Sequence, residues 1–391
     1  MAVAAQLPFE QGHPLQVAPR LRELQAAGPI HRVRTGVGHE GWLVTRHADV
    51  RRLLDDDRLG RGHPEPENAA RLGESLLFGG PIGNFDTEDT DTARMRELLQ
   101  PHFAPKHMRA MQPRIEAMTA QLLDEMAEQG PQADLHTALA VPLPIQVICE
   151  LLGVPYQDRE QFRSWADDAA DTRDRTRSEQ GMMQLFGYGL QLVAAKRQEP
   201  GDDVISRLCA TEGVEDLEVA GLTMALLFAG HETTVIQIGL AAMLLLANPA
   251  QWQALVDQPS LIPNAIEETL RAARTGGFPV PRYARRDFDI DDVTVKAGDL
   301  VLLDLGAGNL DPAAYPDPDR LDVTRSASGH LALGYGARYC LGAPLARIEL
   351  QTVFTQLVSR FPTLRLAVDV SELTLPRDAL AGGITELPVR W

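Results

Sequence analysis

Between Val219 and Ala247 the chain stays apolar for longer than the roughly 20 residues a helix needs to cross a bilayer. Such a segment has two homes: lipid, or the middle of a protein large enough to enclose it. His231, Glu232, Thr233, Thr234 and Gln237 interrupt the run near its centre. A carboxylate at bilayer depth is expensive, so the segment reads as a long core helix and not as a membrane span. A chain of 391 residues, 44% of them hydrophobic, can bury a core around it.

Around that helix the texture is mainly α with a minor β portion (α+β), in one domain over 1–391. Helical patterns cover residues 47–54 (behind a short strand at Trp42), 93–132 in two pieces broken near Pro101 and Pro105, and 135–152 with a kink at Pro142 and Pro144. Further helices follow in two pieces over 162–196, from about Val214, after Pro249, and over 262–272. The Pro-rich opening is expected to wrap the surface, and 58–92 to be loop with short helical pieces. Short β runs fill 280–301, an irregular meander 309–325, a strong helix 341–360, and short strands the remainder.

Net charge bounds the partners. A value of −17 argues against nucleic acid and anionic membranes, which need a basic face. Residues 1–16 lack the basic and apolar stretches of a signal peptide. The cysteines Cys149, Cys209 and Cys340 are too few for a disulfide scaffold. A cytoplasmic monomer is expected.

Two motifs carry chemistry. From Leu333 the chain reads LGYGARYCLGAPLAR. Gly334 and Gly336 permit tight or positive-φ backbone. Cys340 precedes a helix with an apolar stripe at Ala346, Leu350, Val353, Phe354 and Leu357, and Pro344 is tolerated in its first turn. A helix N-terminus lowers a thiol's pKa and favours thiolate, the metal-binding form. Gly342 leaves room for a flat ring, and Arg338 can pair with a carboxylate. The second motif, Ala229-Gly230-His231-Glu232-Thr233-Thr234, interrupts the long helix. Its glycine costs about 1 kcal/mol relative to alanine, which suggests close approach of something. Thr233 can return its hydroxyl to the Ala229 carbonyl. On these residues alone, a kinked core helix with an ion-paired Glu232 stands equally well.

The cysteine run closely resembles the haem-binding signature of the cytochrome P450 superfamily, especially bacterial members with the LGAPLAR continuation. The glycine–acid–alcohol run resembles that family's oxygen-activating segment. The resemblance implies haem b between the long helix and the cysteine loop, with Cys340 the axial ligand of the iron, pushing electron density onto it. By the same likeness Ala229 and Gly230 leave a groove for O2, and Thr233 donates a hydrogen bond where O2 is activated. Glu232 relays protons, and His231 points away. Gly334, Gly336 and Gly342 shape the cofactor loop, and Arg96, Arg282 and Arg338 hold the propionates. Thr92 stands where relatives usually have a histidine for that purpose. Glu268, Arg271 and Arg320 resemble the structural triad that locks the meander.

Substrate positions carried over by resemblance are Phe78, Phe85, Ala225, Ala229, Phe278, Val280 and Ile384, with the stretches 182–186 and 277–280. They are largely apolar and imply a hydrophobic, medium-to-large molecule of the secondary-metabolite kind. The implied activity is monooxygenation, by hydroxylation or epoxidation. Electrons would pass from NAD(P)H through a ferredoxin reductase and a ferredoxin, docking on a basic face with Arg94, Lys106, Arg338 and Arg347 as candidates. One rival keeps the site but couples aromatic substrates oxidatively through C–C or C–N bonds. Another is a haem sensor or carrier, against which the Glu232–Thr233 pair speaks.

Overall fold

The apolar segment forms one helix, α9 (Asp216–Leu246), in a computed structural model that describes residues 4–274, 278–376 and 382–391. A helix apolar all round must be covered all round. The cover consists of α5 (Pro142–Leu152), α7 (Arg175–Gln198), α8 (Val204–Ala210), α10 (Pro249–Asp257), α11 (Ile262–Ala272) and α13 (Ala343–Arg360). Among the described residues α9 is the one helix long and apolar enough to cross a membrane, and these neighbours enclose most of it instead.

The outer helices follow the proline punctuation. α3 (Glu88–Leu99) and α4 (Pro105–Glu128) are separated where expected, and α4 lies along α13. α6 (Arg159–Ala169) folds back onto α7. The expected kink before α5 is a single π-helical turn, His136–Ala140, that ends where Pro142 opens the α-helix. Pro142 lacks an N–H and is tolerated in a first turn, so a new helix starts there. α8 went unread in the sequence; it is only seven residues long, with Asp203 as its cap accepting from the Ser206 N–H.

The opening of the chain differs from the surface wrap expected of it. It contributes α1 (Pro19–Ala27) and two strands, β1 (Ala5–Gln6) and β2 (Ile30–Arg34), which join the strand expected at Trp42, β3 (Glu40–Val44). After α2 (His47–Leu54) comes β4 (Leu59–Gly60), and two distant strands, β6 (Val280–Ala284) and β9 (Leu300–Leu303), complete a six-stranded sheet in the order β1-β2-β3-β9-β6-β4. β2 does not alternate: Ile30 and Val33 are buried three positions apart, on opposite faces of the sheet, and its partner β3 docks on β9, whose residues are more than two hundred positions away. Smaller pieces are the hairpin β7 (Phe288–Ile290) with β8 (Val293–Val295), and a sheet that joins β5 (Gln132–Asp134) to β10 (Arg365–Leu366) and β11 (Pro388–Arg390).

Glu268 and Arg271 form a fully buried pair on α11 at 2.7 Å. Arg271 also donates to the carbonyls of Asn309, the last residue of α12 (Leu305–Asn309), and Pro318, each at 3.0 Å. Glu268 accepts in turn from the Asp322 N–H and from Nε of Arg325, each at 3.1 Å. The third member of the lock is thus Arg325, not Arg320. Arg320 lies outside, two-thirds exposed and paired with Asp322. The Asp322 N–H is the anchor that turns the meander inward, and Arg325, just beyond it, reaches back to the Pro316, Asp317 and Arg320 carbonyls.

Candidate functional site

The cysteine loop is closed by one backbone bond, Cys340 N–H to the Leu333 carbonyl at 2.8 Å. Gly334 and Gly336 take φ of +76° and +69°. At Gly336 a Cβ would also collide with the Asp55 carboxylate, which follows α2 and accepts from the Ala337 N–H at 3.1 Å. Gly342 caps α13, and a Cβ there would meet only the Cys340 sulfur, at 4.0 Å. Cys149 and Cys209 are buried, whereas Cys340 is open to solvent on one side. The protein on its other sides pushes the thiol up through desolvation. The N–H groups of Gly342 and Ala343, with Arg347 and Arg96, pull it down, as a helix N-terminus should, but more weakly. A lowered thiol is therefore not a property of the protein alone. Among the described residues no three His, Cys, Asp or Glu side chains are grouped to hold a metal ion. An exposed lone thiol suits a metal that brings its other ligands with it.

On α9 the burial breaks along one line: Ala225, Ala229 and Thr233, spaced i, i+4, i+8, are exposed on a helix otherwise largely covered. Thr233 Oγ1 donates to the Ala229 carbonyl at 3.0 Å, the back-bond its position allows. Glu232 is partly open, and burial raises its carboxyl pKa against the pull of Arg163. His231 points elsewhere, 1% exposed, its Nδ1–H donating to the Leu227 carbonyl at 2.7 Å and its ring edge-on to Phe162 of α6. Gly230 corrects an expectation. A Cβ there would fall 2.5 Å from Cδ1 of Ile148, so the glycine lets α5 approach α9 and does not open the exposed line.

The arginines divide. Arg282 on β6 is 8% exposed, and its guanidinium donates to its neighbour's carbonyl, Pro281, at 2.8 Å. Burial, then Arg338 and Arg61, lower it to about 9. Arg338 pairs with Glu88, a buried carboxylate in the first turn of α3 that also accepts from the Arg61 and Gly62 N–H groups. Sequence reading singles out neither Arg61 nor Glu88. Arg96 donates to the Tyr339 carbonyl at 3.0 Å against the cysteine loop. Of the cations expected to dock a partner, Arg94 is paired with Glu218, Arg347 with Glu267 at 2.7 Å, and Arg338 with Glu88. Lys106 is exposed and has no ion pair among the described residues.

The expected substrate positions scatter. Phe78 is exposed, with its ring 6.2 Å from Phe228 of α9, and Ala225 and Ala229 lie on the exposed line. Phe85 is stacked under Arg285 at 4.5 Å, on the arginine side. Val280 is partly covered by the cluster between sheet and α2. Phe278 lines a separate cavity of about 470 Å³ with Leu72, Gly73 and Thr172. Ile384 is not available to a ligand: it is 5% exposed, packed on α9 where a Cβ at Gly239 would touch it. Met182 and Phe186 pack against the main core, and Gly277 lies outside the described residues.

Residues 191–377 match the sequence profile of the family Cytochrome P450. Over 98% of both chains the protein is 42% identical to pentalenolactone synthase of Streptomyces exfoliatus, and 38% identical to mycinamicin IV hydroxylase/epoxidase of Micromonospora griseorubida. The chain belongs to the cytochrome P450 family. Its fold overlays the substrate-free cytochrome P450 PimD, a polyene macrolide antibiotic pimaricin epoxidase, with a TM-score of 0.89 and 41% identity over 100% of both chains. As a bacterial-type cytochrome P450 it is an oxidoreductase, a monooxygenase that works with haem b and O2 on reducing equivalents from NAD(P)H. The residues fit that group. They offer an open thiol above the N-terminus of α13, a glycine beside it, and a buried cluster of guanidiniums short of counter-charge.

Proposed function

We propose that this cytochrome P450 inserts one oxygen atom into a hydrophobic small molecule of the secondary-metabolite kind, as a single domain in the cytoplasm, with electrons from a ferredoxin and its reductase. The observation that carries the reading is the exposed line Ala225–Ala229–Thr233 on a helix otherwise enclosed, with the acid Glu232 beside its polar end. Small apolar side chains there leave room for an apolar substrate, and Phe78 and Phe228 add an aromatic wall. Haem, when bound, supplies the reductive activation of O2. Cys340 would hold its iron, Thr233 would donate a hydrogen bond on the substrate side once its hydroxyl turns away from the Ala229 carbonyl, and Glu232 would deliver protons. Burial raises the Glu232 carboxyl pKa, the direction that suits a proton donor. The names of the relatives, hydroxylase and epoxidase among them, support the reaction type.

The test uses purified holoprotein with a surrogate ferredoxin and reductase and a panel of macrolide-sized apolar compounds. A compound that displaces water from ferric iron should be converted to a product heavier by one oxygen atom, labelled from 18O2. Products of unchanged oxygen count, formed by joining two aromatic rings, would replace this reading with oxidative coupling. NAD(P)H consumption that no bound compound stimulates would favour a sensor.

A further inference from the structure

Antiparallel register between β4 and β6 pairs Leu59 with Ala284 and Gly60 with Tyr283. One further step of the same register sets Arg61 opposite Arg282. Like charges directly opposite across a strand pair destabilise it, and here both are largely withdrawn from water, with Arg338 close to each. The guanidinium of Arg61 has no hydrogen bond or ion pair among the described residues, and Nε of Arg338 is buried without a partner. The interior acid that faces the group is Glu88, already engaged by Arg338, Arg285 and two backbone N–H groups. At the rim Arg285 and Asp89 carry one charge of each sign. Arg61, Arg282 and Arg338 against Glu88 therefore leave two positive charges uncompensated.

Buried cations persist without partners only if a ligand supplies the anion. We infer that Arg61 is a haem-anchoring residue, clamping the two propionates together with Arg282 and Arg338, while Glu88 orients Arg338 and fixes the Arg61 backbone. This rests on the haem reading above. It relocates the missing anchor from α3, where Thr92 has no charge to offer, to the end of β4. A haem brings two carboxylates, which is the charge the cluster lacks. Arg96 stands beside this group and also donates to the Tyr339 carbonyl of the cysteine loop at 3.0 Å.

Haem release from holoprotein to excess apomyoglobin tests the assignment. Arg61→Gln should lose haem at least tenfold faster than wild type, and Arg61→Lys should recover part of the difference. Arg286→Gln, which removes an exposed arginine paired with Asp57, should leave the rate unchanged. Protein reconstituted with haem dimethyl ester, which lacks the carboxylate charges, should show no difference between wild type and Arg61→Gln. If that variant does not accumulate, the gap between wild type and Arg61→Lys, and its disappearance with the ester, give the same test. A Gln variant within twofold of wild type, or an effect that survives esterification, overturns the inference. Wild-type protein whose reduced CO complex lacks a thiolate-type Soret band would instead remove the haem-thiolate reading on which it rests.

Discussion

Glu232 and Thr233 are neighbours in sequence and about 100° apart around the helix, so the roles proposed for them predict separable phenotypes. Replacing Glu232 with Gln keeps the shape and removes the proton. Turnover should fall by roughly 10²-fold, with an enlarged solvent isotope effect on the steady-state rate. Because burial raises the carboxyl pKa, wild-type activity should decline as pH rises through that raised value. The Gln variant should lose that limb of the profile, and an unchanged profile would exclude Glu232 as the acid. Thr233→Ala should leave NAD(P)H oxidation largely intact while lowering the fraction of electrons found in product. Residue by residue, legibility followed how local the cause was. The Thr233 back-bond spans one turn and could be read. Gly230 was misassigned because its constraint comes from Ile148 on another helix. Arg61 stayed hidden because only the register between two remote strands brings it to Arg282.

At the scale of elements, α11 and its meander give a sharp contrast. Arg325→Ala removes a partner of a fully buried carboxylate and should cost about 2–4 kcal/mol. Arg320→Ala, on the exposed side, should stay within about 0.5 kcal/mol. Equal midpoint shifts in urea unfolding would reject the revised lock. On α13, Glu349 is 1% exposed, one of its carboxyl oxygens has no partner, and burial pushes its pKa up to about 8. Its folded value lies above the unfolded one, so the associated stability is present below pH ~4.5 and is lost as pH rises toward 8. Glu349→Gln should therefore gain thermal stability relative to wild type across that window, with the difference largest at its upper end. A difference independent of pH would show that Glu349 is paired in solution. Helices and their proline boundaries were legible because periodicity and capping are written within each segment. Of the N-terminal strands only β3, at Trp42, was legible; β1 is two residues long and β2 is covered on both faces, so neither carries an alternation to read, and both become strands only by pairing in the sheet that β3 and β9 join.

For the whole molecule, charge and docking pull in opposite directions. A net charge of −17 would repel the proposed ferredoxin, if acidic, at long range. Of the four candidate docking cations Arg94, Arg338 and Arg347 are already paired with acids of this chain, which leaves Lys106 to attract it at contact. At about 0.1 M salt the Debye length is ~10 Å, so distant repulsion is screened before contact pairs are. The rate of first electron transfer should rise from low salt to a maximum and then fall, as followed by stopped-flow formation of the CO complex. A steady fall from the lowest salt would mean that local attraction dominates at every distance.

The exposed line on α9 is also a ruler. From Ala225 to Thr233 the helix climbs eight residues at 1.5 Å each, or about 12 Å, and each graduation is a side chain small enough to pass. A ligand lying along it with its reacting carbon beside Thr233 extends past Ala229 toward Ala225, so the far mark sets how long a molecule can be. A leucine at 225 would shorten the scale from that end, turning away the longest compounds first and leaving the site of oxidation on shorter ones unmoved. A leucine at 229 would instead shift the reading itself, moving oxidation to a different carbon of the same compound.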